Sequence, residues 1–178
     1  MRYSRGNAAT CLVTRDSGSR RAGAFASWKT IQLGTFKNAI AMLGELGAAG
    51  CSLSEPAVEI IRSDDFTLAP GPTSIELVAI KVAELGFKFS ATYGEICSKA
   101  AEAGLGLCPA EVGPQLRLQY PDQPQDQMLR IAMDAIAASH DDDRIFVLKN
   151  SSEQSLWALD GNARAPWFSG SYFVFARN

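Results

Sequence analysis

Polar and apolar positions alternate through "WKTIQL": Trp28, Thr30 and Gln32 fall on one side, Lys29, Ile31 and Leu33 on the other. The run stops at Gly34, which predicts a short strand. In "TFKNAIAMLGELGAAG", Phe36, Ile40, Leu43 and Gly47 recur at helical spacing, and Ala39, Met42 and Leu46 widen the stripe. Thr35 is the expected cap of this helix, and Gly47 and Gly50 its stop. "SLSEPAVEIIRSDDF" predicts a second helix, capped by Ser54, with Pro56 in its first turn and Asp64-Asp65 at its end. The β-branched residues Ile75, Val78, Ile80 and Val82 predict a strand. The charges at Glu76, Lys81 and Glu84 spoil its alternation, so one end should twist or bulge. "ATYGEICSKAAEAGLG" carries the clearest helix signals: a Thr92/Glu95 capping box, a stripe through Ile96, Ala100 and Ala103, and Gly104 as the stop.

Beyond Gln115 the chain reads as strands: "QLRLQY", "QMLRIAMDAI", "RIFVLKN", "SLWALDG" and "SYFVFARN". In the first of these, Leu116, Leu118 and Tyr120 alternate with Gln115, Arg117 and Gln119, the pattern of a sheet with one wet face. "HDDDR" and "DGNARAPW" read as turn-rich connections, and short links between successive strands favour an antiparallel meander. In "SYFVFARN" both alternating sets are apolar, which predicts a strand buried on two sides or used at an interface. The expected class is α+β: an antiparallel sheet, mostly from the C-terminal half, packed against about three helices from the N-terminal half.

The bulk numbers bound this picture without changing it. The chain has 178 residues and 47% hydrophobic content, enough for one domain with a substantial core. Residues 1–26 are rich in Gly, Ser, Ala and Arg and read as a flexible N-terminal arm, leaving 27–178 as a single α+β domain. That arm holds the one basic bias, Arg2, Arg5, Arg15, Arg20 and Arg21 against Asp16; a net charge of −2 gives the body no field for a polyanion. No stretch reaches the ~18 apolar residues of a membrane span, and the N-terminus lacks the apolar core of a secretory signal. Cys11, Cys51, Cys97 and Cys108 are widely spaced and form no C-x-x-C pair, so reduced thiols in a cytoplasmic protein are expected, without a metal or cofactor. Cys97, among small apolar residues of a helix, reads as buried and inert.

The block "VAELGFKFSATYGEICSKAAEAGLGLCPAEVGPQLRLQYPDQP", followed by "LRIAMDAI", resembles a family of uncharacterised bacterial proteins. These share the "LCPAEVGPQLRLQY-DQP" segment and a β-rich end with an aromatic strand like "SYFVFARN". The resemblance takes in "WKTIQLGT" and so covers residues 28–178. It implies kinship and an origin in the mobile gene pool of bacteria, phages and gene cassettes, but no activity.

Candidate chemistry centres on that same block. Glu111 could serve as a base or carboxylate ligand in a proline-bracketed loop; Arg117, with Gln115, Gln119 and the adjoining Tyr120, could hold an anion on the wet face of a strand. The competing reading is structural: Pro109, Gly113 and Pro114 shape the lead-in to the strand, Glu111 caps a turn and Arg117 is solvated. His140 beside Asp141, Asp142 and Asp143 could form an acid–base pair, or simply a solvated hairpin turn. Trp157, Trp167, Phe168, Tyr172, Phe173 and Phe175 are either core or a ligand surface. Elbow, P-loop, dinucleotide and zinc-protease motifs are absent. The sequence therefore points to a binding protein for a small molecule or protein partner, expected as a homodimer, with a hydrolase using Glu111, Arg117 and His140 as the rival.

Overall fold

In the computed structural model, which describes residues 25–138 and 142–178, the first strand forms where alternation predicts it. β1 (Lys29–Leu33) turns Ile31 and Leu33 into the core. α1 (Ala39–Ala48) begins later than Thr35: Asn38 caps it, accepting from the Ala41 amide at 2.8 Å. The Thr35 hydroxyl is instead taken by Gln115, whose Nε2 donates to it at 2.7 Å. After β2 (Ser52–Leu53) comes α2 (Glu55–Arg62), capped by Ser54 with Pro56 in the first turn, as expected. β3 (Thr73–Lys81) runs straight into a 3-10 turn at Val82–Leu85, which is why Lys81 and Glu84 fall out of alternation. β4 (Ser90–Thr92) leads into α3 (Tyr93–Glu102) through the expected capping box: Thr92 Oγ1 accepts from the Glu95 amide, and Glu95 from the Thr92 amide. The chain continues through β5 (Leu105–Gly106), α4 (Val112–Gln119), β6 (Met128–Ile131), β7 (Ile136–Ala137), β8 (Asp143–Asn150), β9 (Gln154–Asp160), β10 (Pro166–Phe168) and β11 (Tyr172–Arg177).

Two expectations are overturned. "QLRLQY" is not a strand with a wet face but the body of helix α4. Pro114 is compatible with helix there because it lies in the first turn, where its missing N–H has no intrahelical acceptor to lose. The sheet is not a mainly antiparallel C-terminal unit covered by N-terminal helices. It is mixed, in the order β1-β3-β11-β6-β8-β9-β2, with β11 parallel to β6 and β2 parallel to β9. Helices are spread along the chain, α4 lying between β5 and β6. The cause is long-range pairing: the last strand, β11, inserts between β3 and β6, joining the two halves of the chain in one sheet. The two-sided burial expected of that strand holds, with Phe173, Val174 and Phe175 all at 1% exposure or less.

The sheet is curled, and α4 shows by how much. β1 and β9 are five strand spacings apart in the sheet, about 24 Å if it were flat. Yet Gln119 and Arg117, two residues apart on α4, bond to β1 and β9 respectively. The face turned toward α4 carries Leu129, Phe146, Leu148 and Leu156, and with Met42, Leu46, Ile60, Ile61 and Leu116 forms the larger core. The other face receives α3 and the β4–β10 ribbon, with Tyr93 stacked on Phe173 at 5.9 Å.

Gly113 sets the depth at which α4 sits. A Cβ there would fall 2.5–2.7 Å from Cδ2, Cγ and Cβ of the buried Phe146. Gly113→Ala should therefore destabilise by about 2 kcal/mol despite alanine's better helix propensity, read as a lower urea midpoint at unchanged slope.

Candidate functional site

Of the five residues proposed from the sequence, α4 brings Glu111, Gln115 and Gln119 together, with Tyr120 at its end, and sends the Arg117 side chain elsewhere. Glu111, Gln115 and Gln119 lie four residues apart along one side of the helix. The Glu111 carboxylate accepts at Oε1 from the Gly34 amide (2.7 Å) and Gln115 Nε2 (3.0 Å), and at Oε2 from the Ala69 amide (2.7 Å). Gln119 reads the backbone of Gln32 in both directions, accepting from its N–H at 2.9 Å and donating to its carbonyl at 2.8 Å. It thereby occupies backbone groups on β1, an edge strand of the sheet. Tyr120 sits at the helix end, edge-on to Trp28 at 5.2 Å and under Lys29 Nζ at 4.7 Å.

Arg117 turns to the opposite edge of the curl. It is 2% exposed and donates to Gln123 Oε1 (2.5 Å), the Tyr120 carbonyl (2.5 Å), Gln154 Oε1 (2.9 Å) and, more distantly, the Lys149 carbonyl. Burial pulls its pKa below that of a free guanidinium. Among the described residues its hydrogen-bond partners are neutral oxygens, which take up donors of both terminal nitrogens. Glu111 and Arg117 thus face inward, the carboxylate held at both oxygens and the guanidinium at both terminal nitrogens, while Arg117 Nε is buried without an acceptor among the described residues. His140, the third residue of the hydrolase reading, and the N-terminal arm through Ala24 lie outside the described residues.

A second arginine is placed very differently. Arg130 lies in the middle of β6 on the sheet face away from α4, in register with Phe173 of β11 and Val147 of β8. Its guanidinium carbon lies 4.8 Å from the Trp167 ring centroid. The acceptor it meets among the described residues is the Met128 sulfur at 3.1 Å, a weak one. Its Nε is buried without an acceptor, and so is the indole Nε1 of Trp167. Burial lowers its pKa as well. One strand further on, Val147 pairs with Trp157 of β9, and Lys149 Nζ stands 3.8 Å over the Trp157 ring. The sequence contained a signal for this cluster, an arginine inside the apolar run "MLRIAM", which alternation alone does not separate from a solvated position.

The remaining candidates offer less chemistry. Desolvation pushes the Cys97 thiol up to about 11 and the Cys108 thiol further, so neither is poised as a thiolate nucleophile. Asp142, Asp143 and Asp160 line a polar hollow with Asn162 and Arg144, where Arg144 pairs with Asp142 at 2.8 Å. Among the described residues no helix is long and apolar enough to cross a membrane.

Fold and site together define an α+β protein with a curled mixed sheet, one face closed by a hydrogen-bonded helix and the other bearing a cation–aromatic cluster. Comparison of the chain with protein-family models, with curated proteins and with solved structures finds no match.

Proposed function

We propose that the protein is a binding protein for an anionic small molecule, and that Arg130 and Trp167 hold the anion. The observation that carries this reading is the pair of buried donors, Arg130 Nε and Trp167 Nε1, that lack an acceptor beside one another. Buried donors are ordinarily satisfied, and each unpaired one costs about 1–3 kcal/mol. A guanidinium offers its Nε and one terminal nitrogen as a planar fork suited to carboxylate or phosphate, and an indole N–H is a further donor. Nothing in the placement of Glu111 and Arg117 favours the hydrolase alternative, since both carboxylate oxygens and both terminal guanidinium nitrogens are engaged with the protein itself.

Arg130→Met tests the reading because function and stability should move in opposite directions. A partly buried cation without a counter-ion is replaced by an apolar chain of similar length, so the variant should be equal to wild type or more stable by about 1 kcal/mol. Binding should be lost. In a thermal-shift series against carboxylates and phosphates, a ligand at a hundred times its Kd should add about 2.7 kcal/mol to wild type and nothing to the variant. A variant that binds as well as wild type would sink the assignment.

A further inference from the structure

We infer that residues 162–170, which carry β10, form a flap that must lift for an anion to reach Arg130. This rests on the anion site proposed above and adds how that site is entered. Neither Arg130 Nε nor Trp167 Nε1 is reached by solvent, so an anion gains them only after a covering element moves. Arg130 itself is fixed in the main sheet between β11 and β8. What covers it is Trp167 of β10, a strand that pairs with β4 outside that sheet. The segment is pinned at both ends. Gly161 donates to the Asp143 carbonyl at 2.8 Å and has no room for a Cβ beside Ile145, while the Ser171 carbonyl accepts from Val82 at 3.0 Å. Between these posts the seal is slight. Ala165 is buried and Trp167 partly so, but Ala163, Arg164, Pro166 and Phe168 turn to water, Phe168 at 78% exposure. By contrast α3, which also lies on this face, is held by buried Tyr93, Ile96 and Ala100 and by the Tyr93 hydroxyl on the Met133 backbone. Segments with few buried side chains and exposed backbone hydrogen bonds open locally, ahead of global unfolding. Lifting the flap also wets two donors that the closed flap leaves unsatisfied, which lowers the cost of opening. A bound anion satisfies the same donors and favours the closed flap.

Two measurements on the full chain test this. In native-state hydrogen exchange, three amides report the closed flap: Ser169, bonded to the Phe89 carbonyl, and Tyr93 and Gly94, bonded to the Ala165 and Ala163 carbonyls. They should exchange through one common opening, about ten times or more faster than the Ala132 amide, which bonds to the Val174 carbonyl within the sheet. Excess inorganic phosphate or acetate should slow them in wild type and not in Arg130→Met. Exchange of all three as slow as that of Ala132 would overturn the flap. The second measurement uses a lock. Ser90 and Phe168 are exposed cross-strand partners, and a disulfide suits the spacing of such a facing pair. The double variant Ser90→Cys, Phe168→Cys should bind phosphate or acetate like wild type when reduced and show no calorimetric binding when oxidised. Wild type taken through the same oxidation controls for the native thiols. Equal binding in both redox states, with binding lost in Arg130→Met, overturns the flap and leaves the anion site standing. If neither anion binds wild type, or if binding survives Arg130→Met, the site falls and the flap with it.

Discussion

Arg117→Met should lower stability by about 3 kcal/mol, or roughly 6–12 °C in Tm for a chain of this size. The substitution is close in length and removes a buried charge, so part of the desolvation cost is recovered. It also strips Gln123 Oε1, the Tyr120 carbonyl and Gln154 Oε1 of a charge-assisted donor, the first two at buried residues. The second effect is larger, because three acceptors are orphaned for one cation removed. The position matters as well, since Gln154 opens β9 and the Tyr120 carbonyl ends α4, so the guanidinium ties helix to sheet. Urea unfolding of the two arginine variants should give opposite signs, Arg117→Met destabilised and Arg130→Met not. A shared sign would mean that the two guanidinium environments do not differ as their partners indicate.

Glu111→Gln should cost about 2–3 kcal/mol, although it changes one atom. Both carboxylate oxygens accept, Oε1 from the Gly34 amide and Gln115 and Oε2 from the Ala69 amide. A glutamine has one oxygen; whichever way it turns, an NH2 group meets a backbone N–H. Gly34 leaves little room for adjustment, with φ +68° and a hypothetical Cβ only 2.1 Å from the Gly71 carbonyl oxygen. The measurement is native-state hydrogen exchange, in which the amides of Gly34 or Ala69 should lose protection ahead of the rest of the chain. Unchanged protection at both would show that the carboxylate does not clamp these loops. A loss of stability here would also close the reading of Glu111 as a general base, which requires a carboxylate that can be altered without unfolding.

Much of the outline was written locally. Asn38, Ser54 and Thr92 cap helices with their own side chains, and the alternation of β1 and the two-sided apolar pattern of β11 needed no partner to be read. The segment 115–120 was not legible locally: its alternation pointed to a strand, and the structure makes it helix. Leu116, Leu118 and Tyr120 fit a period of two, while Glu111, Gln115 and Gln119 fit a period of four. Six residues cannot separate the two, and packing against Phe146 decided for the helix.

By itself the sequence determined the Ser54 and Thr92 caps and the longer strands, because these depend on neighbours within a few residues. Only the tertiary structure decided that the sheet is mixed and curled, since that follows from β11 joining β3 to β6 across the length of the chain. It also decided which arginine has its terminal nitrogens on protein oxygens and which lies on a tryptophan with a sulfur as its acceptor among the described residues. A guanidinium's chemistry is set by the acceptors around it, and at Arg117 and Arg130 those acceptors, present or absent, come in large part from distant parts of the chain.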